Sequence, residues 1–268
     1  MPHTLINQLH LHYEEVGEGV PLVFLSGLTQ EVRAWRVQVN FFSARGFRVV
    51  TYDTRGQGGS DKPDDPEAYA LSRHVDDLFG LLDHLRIDRA HLVGLSHGGA
   101  VAQWAALRSP ERVSALVLAD TMAYVTPLFR KIFLGLIHAT EAGGNFLRFD
   151  VALPWLFSDR FIEANAPLLD TLRELSKDQP AGPILHLLRA SLAHDLRERI
   201  GEIAAPTLVI CGALDLLTPL SAARFLHRRI KGSELVILPE CGHVSSIEAP
   251  DPFNREVLKF FLKIFPRL

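Results

Sequence analysis

The sequence predicts an α/β fold, a mostly parallel β-sheet flanked by helices on both faces and interrupted by one helical insertion. Three observations predict it. Short apolar runs and helix-like periods alternate from residue 21 to residue 120. The runs are apolar at nearly every position, as strands covered on both faces are. After Asp120 the alternation stops, helical periods fill residues 121–200, and an apolar strand returns at residue 206. The chain therefore divides into a core domain, residues 1–120 and 201–268, and a helical insertion, residues 121–200.

Taken in order, residues 4–16 set Leu5, Leu9, Leu11, Tyr13 and Val16 against Asn7, Gln8, His10, His12 and Glu14. That alternation suits edge strands joined near Asn7-Gln8. His10 and His12 share a strand face at metal-ligand spacing, but no third ligand accompanies them, so no metal site is expected. Residues 21–25 form a buried strand that ends at Ser26-Gly27-Leu28-Thr29. A helical period follows through Trp35, Val39 and Phe42. Residues 47–53 form the next strand and run into the glycine-rich loop Thr54-Arg55-Gly56-Gln57-Gly58-Gly59-Ser60-Asp61. This loop has neither the Lys-Ser/Thr of a P-loop nor the dinucleotide spacing, so it is not read as a phosphate cradle. Residues 69–85 are helical, with Val75, Leu78, Leu81, Leu82 and Leu85 on one face.

A strand at residues 90–95 reaches Gly94-Leu95-Ser96-His97-Gly98-Gly99, and a helix starts at once. Residues 113–119 form another apolar strand. Within the insertion, Leu128, Phe129, Ile132, Phe133, Leu136 and Ile137 make one stripe. Phe146, Phe149, Leu153, Trp155, Leu156, Phe157 and Phe161 make a second apolar cluster. Leu168, Leu172 and Leu175, then Ile184, Leu187, Leu188 and Leu192, mark two further helices, with Gly143-Gly144 and residues 179–183 as linkers. The sheet resumes at residues 206–212, a helix spans about 220–230, a last strand covers 235–238, and a helix from about 251 to 264 closes the chain.

Composition narrows the function classes. The chain has 268 residues, 47% of them apolar, which is enough for a substantial core. A net charge of −3 with mixed signs offers no basic patch, so neither nucleic acid nor a membrane surface is an expected partner. Two cysteines, Cys211 and Cys241, are too few for a disulfide framework and read as reduced thiols. No leader pattern and no spanning segment is visible, so the expected location is cytoplasmic. A homodimer is compatible with the chain.

The chemistry centres on Ser96. Gly-x-Ser-x-Gly between strand and helix is the pattern of a nucleophile elbow, which raises a serine Oγ above the sheet end. The five-residue pattern alone is weak, and it needs a base and an acid. A serine hydroxyl requires a base within hydrogen-bond reach, and the base requires a partner to fix its tautomer. In a parallel sheet such groups belong on loops that follow strand carboxyl ends. Asp215 follows the strand at 206–212, and His243 follows the strand at 235–238. Their order, Ser96, Asp215, His243, is the one expected for this arrangement. Asp120 also ends a strand and is the alternative acid, otherwise a helix-capping residue. His97 adjoins the serine and reads as pocket wall. Asp53 and Arg55 read as structural, and Glu248 as a helix-terminal or supporting residue.

The sequences Gly94-Leu95-Ser96-His97-Gly98-Gly99, Asp53-Thr54-Arg55-Gly56-Gln57-Gly58-Gly59-Ser60, Gly212-Ala213-Leu214-Asp215 and Gly242-His243 together resemble the α/β-hydrolase family. Within it, Gly-Leu-Ser-His-Gly-Gly and Pro110-Glu111-Arg112-Val113 most resemble 3-oxoadipate enol-lactonases and small carboxylesterases. The resemblance implies a sheet of about eight strands, with a helical cap between strands six and seven where residues 121–200 fall. It implies backbone oxyanion donors at His97 and Leu28. Relatives commonly carry His-Gly where this chain has Ser26-Gly27.

The expected function is that of a serine hydrolase cleaving small apolar esters or lactones, without a cofactor. Trp155, Phe133 and Phe129 of the insertion, with Val244, are the expected substrate contacts. A carbon–carbon bond hydrolase or a cofactor-free perhydrolase could use the same triad. A ligand receptor with very slow turnover is the non-enzymatic reading.

Overall fold

The computed structural model of the protein describes residues 3–266. Met1 and Pro2, the first residues of the stretch read for a leader, lie outside them. The chain opens with β1 (His3–Ile6) and β2 (Leu9–Val16). Asn7 and Gln8 join them at the expected place, with φ of 50° and 67°. Two successive positive φ values are what a two-residue hairpin needs to match the strand twist. β3 (Val20–Leu25), α1 (Arg36–Ser43), β4 (Phe47–Tyr52), α2 (Leu71–His84), β5 (Ala90–Leu95), α3 (His97–Arg108) and β6 (Val113–Ala119) then alternate. β7 (Thr207–Gly212), α8 (Leu220–Arg229), β8 (Glu234–Leu238), the short α9 (Ser245–Glu248) and the long α10 (Pro250–Ile264) complete the core.

The eight strands form one sheet in the order β1-β2-β4-β3-β5-β6-β7-β8. β1 and β2 pair antiparallel, as does β2 with β4; from β4 to β8 every pairing is parallel. Period-two geometry splits the buried strand residues between two layers. Val23, Leu25, Val50, Leu92 and Leu116 pack with α2, α3 and α8 through Leu78, Leu82, Val101, Ala105 and Leu226. Leu22, Phe24, Val49, Val93 and Val117 face the other way, onto Trp35, Val39, Phe42, Phe253 and Phe261.

Between β6 and β7 the chain is helical: α4 (Pro127–Leu156), α5 (Asp159–Ala164), α6 (Ala166–Leu175) and α7 (Ala181–Ser191). Thr126 and Ser158 begin α4 and α5 by accepting the Phe129 and Phe161 amides, the usual N-terminal caps. α4 is two limbs, broken where Gly143 (φ −143°, ψ 20°) and Gly144 (φ 64°, ψ −163°) leave the helical region. The insertion has its own apolar cluster. Phe129, Ile132, Phe133 and Leu136 meet Ile184, Leu187 and Leu188, and Tyr69, Met122 and Leu217 of the core join them. One expected stripe turns outward: Leu168, Leu172 and Leu175 are 50%, 41% and 53% exposed, whereas Leu169 is buried. Leu169 lies on α6, and the Arg173 guanidinium of that helix is bidentate to Asp150 of α4. Among the described residues no helix is long and apolar enough to cross a membrane.

Candidate active site

Ser96 stands between β5 and α3 with φ 53° and ψ −115°. A non-glycine residue held there costs about 1–3 kcal/mol, so neighbours must enforce it. They do so from both sides. The Ser96 amide donates to Ala119 O at 2.9 Å, and its carbonyl accepts from the Ala100 amide at 3.1 Å and the Thr121 hydroxyl at 2.8 Å. Gly94 and Gly98 allow the close approach. A Cβ on Gly98 would lie 2.1 Å from Leu25 O, and one on Gly94 would lie 2.4 Å from Gly98 O.

The structure brings the three residues singled out in sequence into one hydrogen-bonded chain. His243 Nε2 lies 2.9 Å from Ser96 Oγ, and His243 Nδ1 lies 2.9 Å from Asp215 Oδ2. A carboxylate only accepts, so Nδ1 carries the hydrogen and Nε2 is left bare to accept the serine hydroxyl. Asp215 is held by its own loop: it accepts the Leu217 and Thr218 amides at 2.8 Å each and the Thr218 hydroxyl at 2.6 Å. Burial disfavours an imidazolium at His243, but the Asp215 charge and hydrogen bond outweigh it and raise the imidazole above its ordinary range. The two loops touch backbone to backbone, since a Cβ on Gly212 would lie 2.1 Å from Gly242 O.

Asp120, the alternative acid, is fully buried but directed elsewhere. Its two oxygens accept the amides of Gly212 and Ser245, each at 3.0 Å. It thus ties the Asp215-bearing segment to the His243-bearing one. Burial, and then the Asp215 charge, push its carboxyl up to about 7.

A cavity of about 370 Å³, its mouth included, opens beside Ser96. Its apolar wall is Leu28, Leu71, Ala100, Met122, Phe129 and Phe133, the two phenylalanines stacked at 4.0 Å. His97, Thr121, Ser191, His194 and Thr218 supply the polar remainder. Phe129 and Phe133, two of the expected contacts, thus line the cavity beside Ser96, as do Leu28 and His97. Trp155 and Val244 are not among the residues that line it. Trp155 packs against the insertion's own cluster, beyond the Gly143-Gly144 break that resets the helix rotation. Val244 turns into the layer beneath the sheet with Val93, Leu95 and Phe253. His194 also lines the cavity, held by a contact with the Met122 carbonyl 72 residues away, which no local pattern announces.

The loop after β3 is braced by side chains on several elements. Ser26 Oγ accepts the Trp35 indole N–H at 3.0 Å. Gln57 spans the turn, donating to Gly27 O at 3.4 Å and accepting the Thr29 amide, while Gln30 accepts the Gly27 amide at 3.0 Å. The His97 amide opens α3, where first-turn N–H groups lack intrahelical partners.

The remaining candidates have structural partners. Asp53 accepts the Val32 amide (2.7 Å), the Gly59 amide (2.8 Å) and His12 Nδ1 (2.8 Å). His10 diverges to Asp61 at 3.3 Å, so the two histidines do not converge on a common point. Arg55 forms a bidentate pair with Asp77 of α2, both bonds at 2.6 Å. Glu248 accepts the Gly242 amide (2.9 Å) and the Ser158 hydroxyl (2.6 Å). The cysteines are free and buried.

This geometry has relatives. The sequence model of the family described as the α/β hydrolase fold matches residues 20–250. The chain belongs to the α/β-hydrolase family. It is 31% identical over 257 residues to 3-oxoadipate enol-lactonase 2 of Acinetobacter baylyi, covering 92% of this chain and 91% of that protein. The crystal structure of an enol-lactonase from Burkholderia xenovorans superposes with a TM-score of 0.90 at 30% identity, covering 97% of this chain and 99% of the other. An α/β-hydrolase enzyme from a Medee basin deep-sea metagenome library superposes with a TM-score of 0.91 at 27% identity, covering 97% of each chain.

Proposed function

We propose that the chain is a serine hydrolase of small carboxylic esters or lactones, working through an acyl-enzyme on Ser96. The observation that carries this reading is the continuous hydrogen-bonded chain Ser96 Oγ, His243 Nε2, His243 Nδ1, Asp215 Oδ2. Likeness to proteins named enol-lactonases supports the lactone or ester class.

His243 Nε2 takes the Ser96 proton as Oγ attacks the substrate carbonyl. Asp215 stabilises the imidazolium so formed. The developing oxyanion is held by the amides of His97 and Leu28, each such donor typically worth ~10²–10³ in rate. The C–O bond then breaks, and His243 returns its proton to the leaving alkoxide. Water follows the same route onto the acyl carbonyl, giving its proton to His243, and Ser96 is released with its proton restored. With a lactone the alcohol remains tethered to the acyl chain, and one hydroxy acid leaves. No step requires a cofactor.

Residues 121–200 act as the cap over this site, with Phe129 and Phe133 supplying its apolar face. Ser96→Ala tests the reading. It should fold with an unchanged circular dichroism spectrum and lose p-nitrophenyl butyrate hydrolysis by several orders of magnitude. Retention of the rate would overturn the proposal.

A further inference from the structure

The polar wall of the cavity looks ready to bind a polar substrate. Following each hydrogen shows the opposite. The Thr121 hydroxyl donates to Ser96 O at 2.8 Å, and the Thr218 hydroxyl donates to Asp215 Oδ2 at 2.6 Å. The Ser191 hydroxyl donates to Leu187 O at 2.8 Å. A hydroxyl has one hydrogen, so the 3.2 Å contact between Ser191 Oγ and His97 Nδ1 must be donated by the imidazole. His194 is fixed in the same way. Its Nε2 faces the Met122 carbonyl at 3.0 Å, which only accepts, and its Nδ1 faces the Trp104 indole N–H at 3.2 Å, which only donates. A proton added at Nδ1 would have to displace Trp104.

Neither histidine offers a charge. Burial, and then the neighbouring His194, pull His97 down to about 4, and burial lowers His194 as well. Among the described residues no lysine or arginine lines the cavity. The polar atom left over is an acceptor: His97 Nε2 is buried without a partner.

We infer that the cavity takes only uncharged acyl groups, and excludes an acyl group that carries its own carboxylate. Half-esters and lactones of dicarboxylic acids are therefore refused, while alkyl and keto acyl groups are accepted. A carboxylate entering here would leave its water behind and find no side-chain donor in return. Leu28, Met122, Phe129 and Phe133 give the alkyl portion its contacts, and the side-chain hydrogens of Ser191, His97 and His194 are spent on the protein.

This rests on the acyl-enzyme reading above, and three esters separate the two claims. They are p-nitrophenyl butyrate, p-nitrophenyl 4-oxopentanoate and mono-p-nitrophenyl succinate. The last two match in size and differ in charge, a methyl ketone against a carboxylate. Rates are read as kcat/KM on the wild-type protein, with the Ser96→Ala protein as the blank for spontaneous hydrolysis. The 4-oxopentanoate should fall within about tenfold of the butyrate, and the succinate at least ~100-fold below the 4-oxopentanoate, the scale of an uncompensated buried charge. A succinate rate within tenfold of the 4-oxopentanoate would overturn the exclusion and leave the hydrolase reading intact. No turnover of any ester would instead bring down the acyl-enzyme reading, and the exclusion with it.

Discussion

Asp215 accepts hydrogen bonds from Leu217, Thr218 and His243 at once, and so cannot rotate without breaking several. Its influence on His243 sets the expected pH dependence. The proposed mechanism needs His243 neutral, so kcat/KM should fall as pH drops through the imidazole's raised pKa. Asp215→Asn removes the charge that raises it. The acid limb should then move to lower pH while kcat falls by up to ~10⁴, since the asparagine no longer enforces the tautomer. A pH–rate profile of the two proteins checks both effects, and an acid limb that stays in place would assign it to another group. At this scale the sequence was informative wherever chemistry sits next to a strand end. Ser96, Asp215 and His243 each follow an apolar run and a glycine turn. Asp120 follows an apolar run too, without the glycine, and only three-dimensional geometry directs its oxygens to Gly212 and Ser245. Thr218, which touches both Asp215 and His243, carried no signal because a threonine three residues past an acid is ordinary turn composition.

Among the elements, strands were easiest to read, because β3 and β5–β7 are apolar on both faces and leave no ambiguity of period. The insertion was harder. Helices were legible from their stripes, but the buried side of α6 depends on a partner on another helix. The loop after β4 shows how a charged pair can serve an element without serving the chemistry. Arg55 and Asp77 are 5% and 1% exposed at their side chains, and Arg55 also donates to Ala68 O at 2.7 Å. Breaking one partner of such a pair strands the other charge in the interior. Arg55→Ala should therefore lose about 3–5 kcal/mol of stability in urea unfolding. KM for p-nitrophenyl butyrate, measured well below the unfolding transition, should be unchanged.

Over the whole molecule, the insertion and the loop that carries His243 are fastened to each other. The His243 amide donates to Leu156 O at 2.9 Å, and Glu248 bridges Gly242 and Ser158. His243, the proposed base, therefore takes part of its position from the end of α4, so an insertion that shifts moves His243 with it. Glu248→Ala leaves buried donors without partners, at about 2–3 kcal/mol. Thermal unfolding should drop by roughly 5–10 °C, and kcat should fall more than KM changes. A variant with lowered melting temperature but unaltered kcat would show that Leu156 alone sets the loop. The contact between Gly212 and Gly242 has a different consequence. Peptide groups packed directly on each other leave no rotamers to readjust and no void to collapse, so this junction is nearly incompressible. The cavity beside Ser96, by contrast, holds removable volume. Under hydrostatic pressure the acyl space should shrink well before the spacing of acid and base does, and substrate affinity should respond at pressures that leave the catalytic geometry in place.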